Sequence, residues 1–225
     1  MNPGGGYMNA VCCAAMGYLI GTVNPSYLIS KLKGFDIRSR GSGNAGATNA
    51  MLTMGKLIGF LCMIFDIIKA FLSFKLAKQL FPMLRFSGIL SGTSCILGHI
   101  FPVWMKFRGG KGLACIGGLI LAYHWKVFLV MLGFELVFTL TINYICVMPI
   151  SASVLFTFVY WFREREMVGA AAMVIVSVVV FIKHIENLKR IRQGTEFHVS
   201  YLWDKQREIE RVAKIIGTDR LDELA

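Results

Sequence analysis

Three polar segments interrupt an otherwise apolar chain, and each carries residue types suited to an anion. The first is Gly41-Ser42-Gly43-Asn44-Ala45-Gly46-Ala47-Thr48-Asn49, the second runs from Gly98-His99 to Phe107-Arg108-Gly109-Gly110-Lys111-Gly112, and the third holds His184, Asn187, Arg190, Gly194 and Glu196. Glycines let backbone N–H groups approach a ligand closely, and hydroxyl, amide and cationic side chains match phosphate oxygens. In the first segment Gly41, Gly43 and Gly46 can shape a loop with inward-pointing amides, while Ser42, Asn44, Thr48 and Asn49 add neutral donors. The alternative is a turn whose polar residues cap the next helix.

The second segment sets Lys111 on a flexible glycine backbone just before an apolar run, where its ammonium can meet an anion together with the first amides of a helix. It is not a Walker A loop, because Gly112 stands where that motif needs Ser or Thr and no βαβ pattern surrounds it. Arg108 and Lys111 also fit as simple membrane-edge anchors. His99, before Ile100-Phe101-Pro102, reads either as a ligand beside the glycine loop or as a cap of its own helix. In the third segment His184, Asn187 and Arg190 recur every three residues, which places them along one helix face. Arg190 can grip a phosphate with two N–H groups and His184 can accept or donate a proton near neutrality. Glu196 is expected to pair with one of these cations.

The elements that must position these residues are membrane helices. With 56% hydrophobic residues, 16% charged residues and a mean hydropathy of +0.61, the chain is no soluble domain. Apolar runs at 8–32, 57–80, 86–104, 113–123, 127–142, 144–162 and 168–182 predict an all-α polytopic membrane protein of about seven transmembrane helices, the fourth run being short for a crossing. No cleavable signal is read at the N-terminus, since no Lys or Arg precedes the first apolar run. The net charge of +11 does not point to nucleic acid, because the cations gather in the loops after the first, third and seventh runs. That asymmetry predicts a cytoplasmic location for all three polar segments, with the N-terminus outside and the C-terminus in the cytoplasm. Cys12, Cys13, Cys62, Cys95, Cys115 and Cys146 lie in apolar runs without metal-ligand spacing and read as core hydrophobes, so no metal is expected. Asp66 and Lys69, one turn apart in the second run, are expected to pair and to support the neighbouring loop, whereas Glu135 has no evident partner. A membrane domain over 1–198 is followed by a tail at 199–225, in which Leu202, Ile209, Val212 and Ile216 outline an amphipathic helix for the bilayer or for the protein's own loops.

Together the motifs resemble the bacterial acyl-phosphate:glycerol-3-phosphate acyltransferases called PlsY. The matching residues are Gly-Ser-Gly-Asn-x-Gly-Ala-Thr-Asn at 41–49, Gly-His-x-Phe-Pro with Phe-Arg-Gly-Gly-Lys-Gly at 98–112, His-x-x-Asn-x-x-Arg with Gly-x-Glu at 184–196, and the pair Asp66 and Lys69. The resemblance implies a seven-helix enzyme of the bacterial cytoplasmic membrane. It would move a fatty acyl group from acyl phosphate to the 1-hydroxyl of glycerol 3-phosphate, without metal, coenzyme A or other cofactor. It further implies that Ser42, Lys111 and His184 serve catalysis. Substrate would be held by Gly41, Gly43, Asn44, Gly46, Thr48, Asn49, His99, Arg108, Gly109, Gly110, Gly112, Asn187, Arg190 and Glu196. The chain departs from the family at Leu52, where an Arg is usual, and at Asn143, Cys146 and Pro149, which replace an Arg and two Ser of the loop between the fifth and sixth runs. Those departures leave a paralogue with another acceptor as an alternative, and a lipid-phosphate transporter is the rival from a different class.

Overall fold

The computed structural model describes residues 3–217, which form helices and loops with no strand among them. The helices are α1 (Pro3–Thr22), α2 (Pro25–Leu32), α3 (Ala47–Met54), α4 (Lys56–Leu80), α5 (Ser87–Ile100), α6 (Leu113–Tyr123), α7 (Trp125–Ile142), α8 (Met148–Glu164), α9 (Met167–Arg192) and α10 (Lys205–Ile216). Their ends follow local chemistry. Asn24 caps α2 by accepting from the Tyr27 amide, with Pro25 opening the helix, and Glu166 caps α9 through the Val168 and Gly169 amides.

Five stretches are long and apolar enough to cross a bilayer, namely Gly6–Leu32, Lys56–Leu80, Ser87–Met105, Trp125–Ile142 and Ile145–Glu164. A sixth is bent by 45° between Met167–Lys183 and Ile185–Arg192. The difference from the expected seven lies at α6, whose 11 residues make roughly 16 Å of helix against a hydrocarbon core of about 30 Å. Even so, α6 joins the two ends of the bundle. Its start, Gly112, lies against Ile96 and Ile100 near the end of α5. Its last residue, Tyr123, donates to Glu164 Oε1 at 2.6 Å, and the Glu164 carbonyl accepts from Arg85 at 2.8 Å, beside the start of α5. Length missing from the helix is made up by the glycine loop, since the Gly109 and Gly110 amides donate to the Ile100 and His99 carbonyls at 3.0 and 3.1 Å. The loop therefore runs back along the last turn of α5 with its backbone satisfied, as a low-dielectric setting demands.

Packing is inverted relative to a soluble bundle. On α4 the buried residues include Gly59, Cys62, Asp66, Lys69, Ala70, Ser73 and Ala77, whereas Leu57, Phe60, Leu61, Phe65, Ile68 and Leu72 are exposed. Large apolar side chains are left for lipid and small or polar ones face protein. The seam between α1 and α5 shows why. A Cβ added at Gly17 or Gly21 would fall on the backbone of Ser91 or Cys95, and one at Gly98 on the carbonyl of Tyr18. Glu135, without a partner in the sequence, gains one in Ser151 of α8, whose hydroxyl donates to Oε2 at 2.6 Å.

The tail helix folds onto the protein itself. Ile209, Val212 and Ala213 of α10 are buried within the molecule, which decides between its own loops and the bilayer for that face. The side chain of Leu202, and residues 218–225 of the expected tail, lie outside the described residues.

Candidate active site

All three polar segments meet at one end of the bundle. The loop of the first is tied to its own helix by Asn49, whose Nδ2 donates to the Ile37 and Arg40 carbonyls at 2.9 and 3.0 Å while Oδ1 accepts from the Ser42 amide at 2.9 Å. Asn24 adds a second tie, donating to the Ala45 carbonyl at 2.8 Å. Gly41 and Gly43 have φ of +56° and +69°, and a Cβ at Gly41 would strike Asn49 Oδ1, so both glycines are required. Gly46 precedes α3 without any side-chain cap, which leaves the positive end of that helix available to an anion. Ser42 and Thr48 are exposed beside it. Leu52 lies one turn beyond Thr48 on α3 and is 38% exposed, so the missing arginine would have stood above this helix start.

Beneath the second segment lies a buried polar cluster. Lys69 Nζ is 2.7 Å from Asp66 Oδ1, donates to the Val23 carbonyl at 2.7 Å and sits 3.0 Å from His99 Nδ1. His99 Nδ1 is also 3.4 Å from Asp66 Oδ1. Asp66, His99 and Cys115 approach one another closely enough to hold a metal ion. The Lys69 ammonium already neutralises that carboxylate, so the donor set fits an internal ion pair better than a cation. This cluster joins α4, α5 and the bend between α1 and α2. Any Cβ at Gly110 would land on His99 Nε2, which places the imidazole behind the glycine loop. His99 and Asn49, expected to touch substrate, are thus 3% and 1% exposed and engaged with protein partners. Both act as braces of the two loops.

The third segment forms a chain with the second. Lys111 Nζ donates to Asn187 Oδ1 at 2.5 Å, Asn187 Nδ2 to Glu196 Oε1 at 2.6 Å, and Arg190 Nε to Glu196 Oε2 at 2.6 Å. Glu196 therefore pairs with Arg190, as its position suggested, and also orients Asn187. Gly194, with φ of +73°, reverses the chain so that Glu196 can reach back to α9. Burial first, and the Arg190 guanidinium second, lower the Lys111 ammonium below its ordinary range, while Glu196 opposes them. His184 Nδ1 lies 2.8 Å from the Val180 carbonyl. A carbonyl can only accept, so Nδ1 bears the proton, and in the neutral ring Nε2 keeps a lone pair. Arg108 is exposed at the rim, where its carbonyl lies 3.5 Å from Arg38 Nη1.

Two residues escaped the sequence reading. Arg38 looked like a membrane-edge cation. It is held by both carboxylate oxygens of Asp36 and donates to the Met105 carbonyl at 2.7 Å, clasping the first segment to the second. The Asp36 carboxyl is held far below its usual range, chiefly by the hydrogen bond from Arg38 against a smaller desolvation cost. Asn24 lay inside an apolar run, and its Asn-Pro-Ser sequence was the available signal of a helix cap. The assembled end of the bundle offers an uncapped helix start, two cations and an imidazole lone pair, an arrangement suited to phosphate and to proton transfer from a hydroxyl.

Residues 11–194 match the family described as glycerol-3-phosphate acyltransferase. Relatives carrying that name include one from Thermotoga petrophila, 36% identical over 192 residues, covering 82% of this chain and 94% of the relative. Another, from Wolbachia sp. subsp. Brugia malayi, is 32% identical and covers 80% and 94%. A crystal structure of PlsY, an integral membrane glycerol 3-phosphate acyltransferase in its glycerol 3-phosphate form, superposes with a TM-score of 0.77 at 29% identity, covering 86% of this chain and 96% of that one. The lysophosphatidic acid form gives 0.75 at 28% identity, with the same coverage.

Proposed function

The chain belongs to the glycerol-3-phosphate acyltransferase family, and from that premise we propose that it transfers a fatty acyl group from acyl phosphate to the 1-hydroxyl of glycerol 3-phosphate. The products are lysophosphatidic acid and inorganic phosphate. The observation that carries this reading is the hydrogen-bonded line from Lys111 through Asn187 and Glu196 to Arg190, set beside the uncapped start of α3. Two phosphate-bearing substrates need two places for anions, and this reading assigns one to each of these features.

In this scheme acyl phosphate rests on the loop of Gly41, Ser42, Gly43, Asn44 and Gly46 and on the first turn of α3 with Thr48, its acyl chain passing out to lipid. Glycerol 3-phosphate is held by Lys111 and Arg190, oriented by Asn187. Arg108 and the Gly109, Gly110 and Gly112 backbone line the space between them. The acceptor hydroxyl attacks the acyl carbon, the bond from that carbon to the phosphate oxygen breaks, and phosphate departs with the electron pair. The hydroxyl proton ends on the departing phosphate, directly or by way of His184 Nε2. An acyl phosphate is already activated, so the protein's share is positioning and charge stabilisation and no covalent enzyme intermediate is needed. The donor chemistry calls on no cofactor. We place the enzyme in the bacterial cytoplasmic membrane with this end of the bundle facing the cytoplasm, as the distribution of cations suggests.

The deciding experiment supplies purified protein in detergent with palmitoyl phosphate and glycerol 3-phosphate. Phosphate and lysophosphatidic acid should form in equal amounts, and only when both substrates are present. Product made from palmitoyl-coenzyme A but not from palmitoyl phosphate would reject the donor.

A further inference from the structure

The family match ends at residue 194, yet the structure ties the site to the segment beyond it. A single guanidinium does this. Arg211 of α10 donates from Nη1 to the Gly194 carbonyl at 2.6 Å and from Nη2 to the Glu196 carbonyl at 2.7 Å. It therefore spans, from outside, the turn that presents Glu196 to Asn187 and Arg190. Seen from inside, the turn is held by the Thr195 and Glu196 amides, both bound to the Arg190 carbonyl at 2.8 and 3.2 Å, by the Gly194 amide on the Ile191 carbonyl at 3.0 Å and by the Thr195 hydroxyl, 3.4 Å from the Arg190 carbonyl.

Arg211 is itself fixed. Its Nε lies 3.0 Å and its Nη2 2.9 Å from Glu208 Oε2. Glu208 also accepts from the His198 amide at 3.1 Å and the Ser200 hydroxyl at 3.0 Å, and His198 Nδ1 lies 3.2 Å away. Burial pushes the Glu208 carboxyl up, but Arg211, the His198 amide and Ser200 outweigh it and hold the group down at about 2. The ion pair thus stays intact across the neutral range. A second strap comes from Asn143, whose carbonyl and side-chain oxygen accept from the Val199 amide at 3.1 and 3.2 Å. Asn143 stands at a position where the family resemblance implies an arginine. Here that position anchors the tail instead of adding a cation.

We propose that Arg211 is a positioning residue of the acyl-transfer site, acting through Glu196 and Asn187 on Lys111, and that the C-terminal helix is a working part of this enzyme. The inference rests on the reading that Lys111 and Arg190 hold the acceptor phosphate. With the turn released, Glu196 is free to swing toward Lys111 and neutralise it, which weakens the acceptor more than the donor.

The test compares Arg211→Ala, Arg211→Lys and, as a control on the same helix, Arg207→Ala in the full-length protein. Arg211→Ala should raise the KM for glycerol 3-phosphate on the order of tenfold, the size expected for losing one hydrogen bond from a charged group. The KM for palmitoyl phosphate and the melting temperature should hold. Lysine keeps the charge beside Glu208 but cannot bridge two carbonyls, so Arg211→Lys should fall between wild type and alanine. Wild-type constants in Arg211→Ala overturn the proposal, as does an equal loss with both substrates accompanied by a lower melting temperature. Amide hydrogen exchange at Thr195 and Glu196 gives a readout independent of the assigned substrates. It should quicken in Arg211→Ala and not in Arg207→Ala. If the wild type fails to use palmitoyl phosphate, the donor assignment falls while the exchange result still decides the clamp, and unchanged rates would reject it.

Discussion

At the scale of single residues, Lys111 combines the two properties a phosphate ligand must balance, partial burial and a retained charge. Deleting it removes a charge-assisted contact, so Lys111→Ala should slow turnover by on the order of a hundredfold, equivalent to about 3 kcal/mol. Near-wild-type kcat/KM would reduce the lysine to an anchor. Its titration gives a second handle. Because burial and Arg190 lower its pKa, Lys111 sheds its proton at a lower pH than a free lysine, and binding of anionic substrate weakens on the alkaline side. Glu196 is the opposing influence. Glu196→Gln therefore lowers the Lys111 pKa further, and the alkaline limb of the kcat/KM profile should move to lower pH; a shift to higher pH would contradict this electrostatic account. Leu52 tests the missing cation. A guanidinium at that place, one turn above the open start of α3, adds about 1–3 kcal/mol of charged hydrogen bonding. Leu52→Arg should then lower the KM for acyl phosphate, the substrate assigned to that helix start, while that for glycerol 3-phosphate barely moves. An unchanged acyl-phosphate KM would show that the site does not reach that far along α3.

Among the elements, what the sequence announced and what it hid follow from the range of the interactions involved. The seven apolar runs were legible because lipid exposure leaves long hydrophobic stretches, and the shortness of α6 was visible in its length alone. The pairing of Asp66 with Lys69 was legible because it lies within one helical turn. His99 and Asn49 looked like ligands, since proximity to a glycine loop in the chain does not reveal which side of the loop a side chain occupies. The bend at His184 was hidden by apolar character running straight through it. The glycine seam was hidden too, although Gly17 and Gly21 have the spacing of small residues that bring membrane helices together. Replacing Gly21 by leucine forces α1 away from the Cys95 backbone. Overpacking in a tight seam costs about 1–3 kcal/mol, occasionally more. Gly21→Leu should accordingly lower the melting temperature in detergent and reduce activity in parallel, since α1 leads directly into the Asn24 cap. A variant as stable as wild type would mean that the α1–α5 contact is loose.

For the whole molecule, the contacts sort the loops into two ends without reference to a membrane. Arg38 to Met105 and Lys111 to Asn187 gather the three polar segments at one end, and Arg211 adds the tail to it. Arg85 to Glu164 and Tyr123 to Glu164 define the other, where the Cys13 thiol also meets the Ser87 carbonyl at 3.2 Å. The first helix thus starts opposite the site. Cations follow the same division, with Lys31, Lys33, Arg38, Arg40, Lys106, Arg108 and Arg192 at the site end, and the proposed cytoplasmic orientation of that end rests on this charge asymmetry. Cys12 is the exposed cysteine among the described residues, which makes Cys12→Ser a clean background for labelling. Single cysteines at Arg40, Lys106 and Gln193 should react with an impermeant maleimide only after the cells are opened, and cysteines at Pro82 and Arg165 should react in intact cells. Division of the first three between compartments would break the shared site itself, whereas exchange of the two groups as wholes would keep the site and invert only its orientation.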